Sequence, residues 1–406
     1  MNLESRCLFR VNFLKLFIQL FDTIPQLMKF NLNFSKFKKT LNLSYYKNDE
    51  LKRLNLRKYY VLGSVTGFLI TRSIHGQRSK ATVYAQLISN WAILLIILDA
   101  ACDNREDLTN QEKIYLNISS AKKIFSILSG SDIGISLLFR NRFHEWVLLH
   151  ETAVSENTRP SKSIENDILT ASSQFAISLK KCLTLVLDIK IRKKNSQIII
   201  ESLRSLMQAQ IDSLNQTSFS ANDNWKWYAN NVLFKKFDGI FESILWAVPT
   251  NDTETLRISG LLEGMKTIGK IFAHRQILDD LVDYKNDIRA GILATPAYIL
   301  IDFDLGINNH MFPGLYDMIK RSCYISGSFT NAWNKKDTNL CHTLMLNSGI
   351  FDFFIKMIED RKSHQPIIKR LNQLTSEYPM LEVPLCFYYN RLNKTYNRLK
   401  KQVATF

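Results

Sequence analysis

Residues that interrupt helices and form turns are scarce in this chain. Only 14 glycines and 8 prolines occur among 406 residues, roughly half the usual share of about 7% and 5%. A large all-β protein needs turn residues at short intervals. Collagen-like chains and Pro/Gly-rich disordered chains need far more of both. Long helices are what remains. Hydrophobic residues make up 46%, an ordinary share for a chain with a real core.

The apolar spacing divides the chain into three stretches. Residues 1–57 form a basic, Phe-rich N-terminal extension in which Phe9, Phe13, Phe17 and Phe21 recur at helical spacing, followed by Phe30, Phe34 and Phe37. Such a segment either packs on the main domain or lies on a membrane surface. Residues 58–360 carry helical patterns separated by polar loops at Glu151–Asn166 and Asn215–Asn224. Helical patterns are expected over Ile168–Ser213 and one long helix over Trp225–Ala247. Pro249 breaks the pattern, and Asp252 or Thr253 can cap a further helix over Glu254–Asp287 that stops near Gly291 and Pro296. Residues 361–406 form a helical, basic C-terminal segment. With no repeat and no clear linker, a single helical bundle is expected.

The formal net charge is +16, which favours an anionic partner. The longest basic run is Arg192-Lys193-Lys194, too short for a nucleic-acid arm, so no nucleic-acid partner is expected and the charge reads as diffuse. The six cysteines are scattered without CxxC spacing, which suggests neither a zinc ribbon nor a disulfide framework. With no signal-peptide pattern, a cytoplasmic location is expected. Peripheral membrane contact through the basic N-terminal segment is the alternative. Ala81–Leu98 is long enough to span a bilayer, but Gln86, Ser89 and Asn90 interrupt it, and a buried core helix is expected.

Two helices run from apolar to acidic. In the first, Asp99 and Asp103 stand at i, i+4, about 6 Å apart along the axis. Ile88, Trp91, Ala92 and Leu95 lie before them on the same stripe. In the second, Asp279, Asp283 and Asp287 stand at i, i+4 and i+8, with Asp280 beside them and Ile268, Phe272 and Ala273 behind. Like charges at this spacing repel, and carboxylates near a helix C-terminus oppose its dipole. A cation should offset both. Mg²⁺ suits such a site, because one or two carboxylates together with substrate phosphates commonly hold it.

Residues Gln276–Ile299 resemble the second aspartate-rich motif of the class I isoprenoid synthases. Gln276-Ile277, Asp279-Asp280, Asp283-Tyr284, Asp287, Gly291, Thr295 and Tyr298 stand in a similar order to the prenyl diphosphate synthase pattern. Asp99-x-x-x-Asp103 resembles the reduced first motif of bacterial large-terpene synthases, and Lys235 matches a diphosphate-binding lysine. The resemblance implies an all-α bundle of long helices around a central apolar cavity. It implies Mg²⁺ held by Asp99, Asp103, Asp279, Asp280, Asp283 and Asp287, and an allylic prenyl diphosphate contacted by Lys235 and Arg289. Trp91, Ala92, Leu95 and Phe272 would wall the pocket, where aromatic faces can stabilise a carbocation.

The chain departs from the elongating members of that superfamily. His75-Gly76-Gln77-Arg78-Ser79-Lys80 stands where a longer Gly-Lys-Arg segment would bind isopentenyl diphosphate. Only Arg105 follows the first motif in place of paired arginines, and Ile292 replaces a lysine after the second. A terpene synthase-like reaction that releases diphosphate is therefore expected. Chain elongation is the first alternative, and a non-catalytic member that binds a partner or a membrane is the second.

Overall fold

The computed structural model describes residues 26, 28–41, 55–75, 78–103, 108–129, 137–152, 160–186, 188–214, 224–237, 244–248, 255–307, 314–322, 328–360 and 382–404, with single positions between them. Phe9, Phe13, Phe17, Phe21, Gly76, Gln77, Arg105, Asp107 and residues 249–254 lie outside the described residues, as do the side chains of His75, Arg78, Ser79, Asp103 and Ile268. Among the described residues every regular element is helical and no strand occurs.

The chain gathers into two compact units, each assembled from three segments. The first comprises Met1–Leu214, Gly239–Lys266 and Asn372–Leu385, the second Asn215–Asp238, Thr267–Leu371 and Cys386–Phe406. The single bundle expected from sequence had no linker to argue against it. One crossing, at Lys266/Thr267, falls inside the continuous helix Thr255–Ala290, where composition carries no boundary signal.

In the first unit, α1 (residues 28–38) precedes α2 (Leu56–His75), α3 (Arg78–Asp103), α4 (Asn110–Ser129), α5 (Leu137–Glu151), α6 (Lys162–Thr184) and α7 (Ile189–Ser213). Helix α3 packs on α2 and α6. Its apolar window within Lys80–Ala101 is long enough to cross a bilayer and is 67% buried. Its polar residues are satisfied inside the unit. Asn90 donates to the Ser178 hydroxyl at 2.7 Å and the Gln174 carbonyl at 3.1 Å, and Tyr84 donates to the Ile244 carbonyl at 2.8 Å.

The α2–α3 contact depends on two glycines one turn apart. A Cβ on Gly63 would lie 2.9 Å from the Ile88 carbonyl oxygen, and one on Gly67 would lie 2.9 Å from the Ala85 Cα. Only hydrogen fits at either position. Phe30, Phe34 and Phe37 of α1 are buried. Phe30 meets Phe68 edge-on at 6.3 Å, and Phe34 and Phe37 flank Tyr60 at 5.3 and 6.1 Å. This part of the N-terminal extension therefore packs on α2.

The helical patterns expected over Ile168–Ser213 form two helices, α6 ending at Thr184 and α7 starting at Ile189. Asp188 caps α7 by accepting from the amides of Lys190 and Ile191. The expected helix Trp225–Ala247 is also interrupted. It consists of α8 (Trp225–Tyr228) in the second unit, a π-helical turn at Ala229–Leu233, and a separate 3₁₀ turn at Ile244–Ala247 that belongs to the first unit. Its apolar spacing signalled burial, and continuity did not follow.

Helix α9 (Thr255–Ala290) runs close to its expected span. It ends at Gly291, whose φ of +68° is left-handed and suits glycine. The Ile292 amide closes back onto the Asp287 carbonyl at 2.8 Å. In the second unit α10 (Thr295–Asp304), α11 (Leu315–Arg321), α12 (Ser328–Asn334), α13 (Thr338–Asn347) and α14 (Ile350–Glu359) follow, and α15 (Glu382–Val403) enters it from Cys386. Their core includes Tyr284, Tyr298, Phe329 and Phe354.

Candidate functional site

The second half of α9 carries the acidic stripe. Tyr284, Leu281 and Ile277 anchor one face of the helix in the core, so the stripe is held to one side. Asp279, Asp283 and Asp287 are half-buried. Asp279 pairs with Arg275 at 2.8 Å, one turn earlier, and accepts from the Thr395 hydroxyl at 3.2 Å. Asp283 faces Arg398 at 3.6 Å. Thr395 and Arg398 lie one turn apart on α15, so that helix presents both groups to the stripe.

Burial pushes the Asp283 carboxyl above the usual range. Arg398 pulls it back, and the charge of Asp279 raises it again. Its ionised form therefore has incomplete compensation. The Asp283–Arg398 pair is half-exposed and long, and such pairs contribute about 0–1 kcal/mol. A stronger cation can displace the guanidinium at small cost.

Asp280 has a different environment. It is buried, and four protein donors reach it. The Gln276 amide donates at 2.9 Å, the Tyr228 hydroxyl at 2.8 Å, and Thr295 through its hydroxyl at 2.5 Å and its amide at 3.1 Å. The carboxylate thus ties α9 to α8 and to the first residue of α10, whose start has no side-chain cap of its own. Burial raises the carboxyl, and the Thr295, Gln276 and Tyr228 bonds offset part of that rise. Asp280 is thus taken up by protein donors, while Asp279, Asp283 and Asp287 form the half-buried stripe.

Arg289 is exposed in the last turn of α9, about 160° around the helix from Asp287. It lies in the electrostatic neighbourhood of His342 instead. Burial depresses that imidazole, and Lys285 and Arg289 depress it further. His342 shares a 2.9 Å hydrogen bond with the Tyr284 hydroxyl and stacks on the Tyr284 ring at 5.3 Å. Lys235 is half-buried in the turn that follows the π-helical segment.

Asp99 belongs to the first unit, exposed near the end of α3, and Asp103 is the last residue of that helix. Trp91 is buried against Phe175 with ring centroids 4.9 Å apart, while Ala92 and Leu95 are half-buried. In the second unit Phe272 is half-buried and stacks on Phe237 at 5.8 Å.

Arg398, Thr395 and Tyr228 were not legible as neighbours of the stripe, because they lie 52 to 116 residues away from the aspartates they touch or approach the site from α15. Arg275 was missed as well, although its place four residues before Asp279 is a local signal for the pair. Asp302 was also missed. It is buried and accepts the Trp225 amide at 3.2 Å. Burial pushes its carboxyl up to about 6.

Among the described residues no group of three or more His, Cys, Asp or Glu side chains converges to hold a metal ion. The arrangement instead offers oxygen donors from carboxylates one turn apart, flanked by two arginines. That donor set suits a hard cation arriving with a phosphorylated ligand. Comparison with protein-family models, with curated proteins and with solved structures found no match.

Proposed function

We propose that this chain is a class I isoprenoid synthase-like enzyme that ionises an allylic prenyl diphosphate with Mg²⁺ and releases inorganic diphosphate. The observation that carries the reading is the half-buried stripe Asp279–Asp283–Asp287, in which Asp283 has a raised carboxyl and only a loose arginine partner. The stripe would suit Mg²⁺ recruited together with a diphosphate, because one or two carboxylates with substrate phosphates and retained water commonly hold that ion. When bound, Mg²⁺ neutralises the charge that builds on the leaving diphosphate.

Asp279, Asp283 and Asp287 hold the cation side of this reading; Asp99 and Asp103, the other acidic pair expected from sequence, belong to the first unit. Arg275 and Arg398 stand beside the stripe and are placed to take diphosphate oxygens once a metal occupies the carboxylates. Lys235 is a further phosphate contact in this proposal. Arg289, directed around the helix, is the weakest of the residues proposed for that role. Asp280 positions α9, α8 and α10 relative to one another and binds no ligand itself.

The test is incubation of the purified protein with Mg²⁺ and a panel of allylic diphosphates, with and without labelled isopentenyl diphosphate. Diphosphate release without label incorporation is expected. Incorporation into a longer prenyl diphosphate would replace this reading with chain elongation. No turnover of any member of the panel would remove the enzymatic reading.

A second reading is a non-catalytic helical binding protein. It is favoured by the pairing of Asp279 with Arg275 and by the four protein donors at Asp280. Thermal stability separates the two. Joint stabilisation by Mg²⁺ and diphosphate, beyond the effect of either alone, is expected of the enzyme. An equal shift with diphosphate alone is expected of a basic binding surface.

A further inference from the structure

The break between α6 and α7 places an unusual set of side chains at one corner of the first unit. Six cations, Lys180, Lys181, Lys190, Arg192, Lys193 and Lys194, fall within fifteen residues that contain one acid, Asp188. Asp188 is already used, accepting the Lys190 and Ile191 amides at 2.7 and 3.0 Å. Arg192 is used as well, donating twice to the Val186 carbonyl and so closing the corner. Lys194 lies over the Trp246 ring at 5.6 Å. Among the described residues Lys181, Lys190 and Lys193 have no ion-pair partner, and all three are exposed.

Apolar side chains are exposed among these lysines. Ile189 is 60% exposed, Ile177 39% and Leu185 37%. Ile177, Lys181 and Leu185 recur at i, i+4 and i+8 and form one stripe that leads to the corner. Beyond the break Ile189 and Lys190 open α7, with Lys193 one turn further on. The corner thus carries exposed aliphatic side chains among exposed lysines.

The fold explains only part of this arrangement. Lys181, in the last turn of α6, suits that helix's dipole, whereas Lys190 and Lys193 near the start of α7 oppose the dipole there, where Asp188 is the acidic cap and the first turn holds no acid. Exposed aliphatic side chains add nothing to the core. An external negative surface would offset the first cost, and an apolar layer beneath it would bury the second feature. An anionic bilayer has both, and it requires no shape complementarity from a projecting corner. Nucleic acid provides the charge without the apolar layer.

We propose that the corner formed by the end of α6 and the start of α7 docks on an anionic lipid bilayer, with Leu185 and Ile189 entering the headgroup boundary and Lys181, Lys190 and Lys193 meeting the lipid charges. This proposal is independent of the reading of the acidic stripe and of any catalytic activity.

The test is co-sedimentation of the full chain with vesicles of phosphatidylcholine alone and of phosphatidylcholine with about one-third phosphatidylserine. Binding only to the mixed vesicles, weakening as salt rises, is expected. At about fivefold per basic residue, the triple variant Lys181→Gln, Lys190→Gln, Lys193→Gln should lose about 100-fold in partitioning. Ile189→Ser should lose several-fold without changing the salt dependence. Because all four side chains are exposed, circular dichroism should show unchanged helicity and melting. A parallel variant, Lys36→Gln with Lys39→Gln, tests the N-terminal helix. Absence of binding to the mixed vesicles, equal binding to neutral ones, or wild-type binding by the triple variant would each overturn the proposal.

Discussion

Removing the Asp280 carboxylate should destabilise the protein without any metal or substrate present. In Asp280→Ala the buried Thr295 amide and hydroxyl and the Tyr228 hydroxyl lose their acceptor. An orphaned buried donor costs about 1–3 kcal/mol. Gln276 is half-buried and can turn toward water, so its loss adds little. Three orphaned donors give about 3–9 kcal/mol. Relief of the carboxylate's own burial, which raises its pKa, returns part of this and leaves about 3 kcal/mol. That corresponds to roughly two orders of magnitude in the unfolding equilibrium. Asp280→Asn keeps one acceptor oxygen and should lose about half as much. The assay is urea unfolding in EDTA followed by tryptophan fluorescence, with Asp283→Ala as the comparison. Asp283 has only its loose arginine pair to lose, and its removal relieves repulsion from Asp279, so its midpoint should stay within about 0.5 kcal/mol of wild type. A shift below about 1 kcal/mol for Asp280→Ala, or an equal shift for both variants, would refute the assignment of Asp280 as the anchor.

Asp283→Ala and Asp99→Ala should each lower diphosphate release by orders of magnitude, measured by phosphate assay after pyrophosphatase. Wild-type turnover by either variant, or in EDTA, contradicts the metal reading. The Asp302 carboxyl is raised in the folded state to about 6 from 3.8. Its contribution is fully present below pH 3.8 and lost as pH rises through about 6, amounting to about 3 kcal/mol at 1.36 per unit. Asp302→Asn keeps an acceptor for the Trp225 amide and should remove this downward slope, as read from melting temperatures between pH 4 and 7.5. An unchanged slope in the variant would show that another group causes it. Gly63→Ala gains about 1 kcal/mol in helix propensity, but its Cβ meets the Ile88 carbonyl at 2.9 Å, and overpacking costs about 1–3 kcal/mol. A net loss of up to about 2 kcal/mol in chemical denaturation is expected, and any gain in stability would mean that α2 and α3 separate readily.

Helical character was legible throughout, because scarcity of turn residues and a period near 3.6 are properties of the chain alone. The α9 span and its end at Gly291 followed from the same signals, since a glycine past the last apolar residue accepts the left-handed backbone that closes a helix. The spacing of Asp279, Asp283 and Asp287 placed them on one stripe before any tertiary contact was known. Tertiary structure decided what each carboxylate meets. Asp279 and Asp280 are adjacent and chemically identical, yet 100° of helix rotation leaves one half-buried beside Arg275 and Thr395 and buries the other among Tyr228, Gln276 and Thr295. Those partners come mostly from other elements, so local spacing could not identify them. The same limit applies to the break in Trp225–Ala247 and to the unit boundary inside α9. Apolar periodicity records which residues are buried, whereas the neighbours that bury them are chosen by the packing of distant segments.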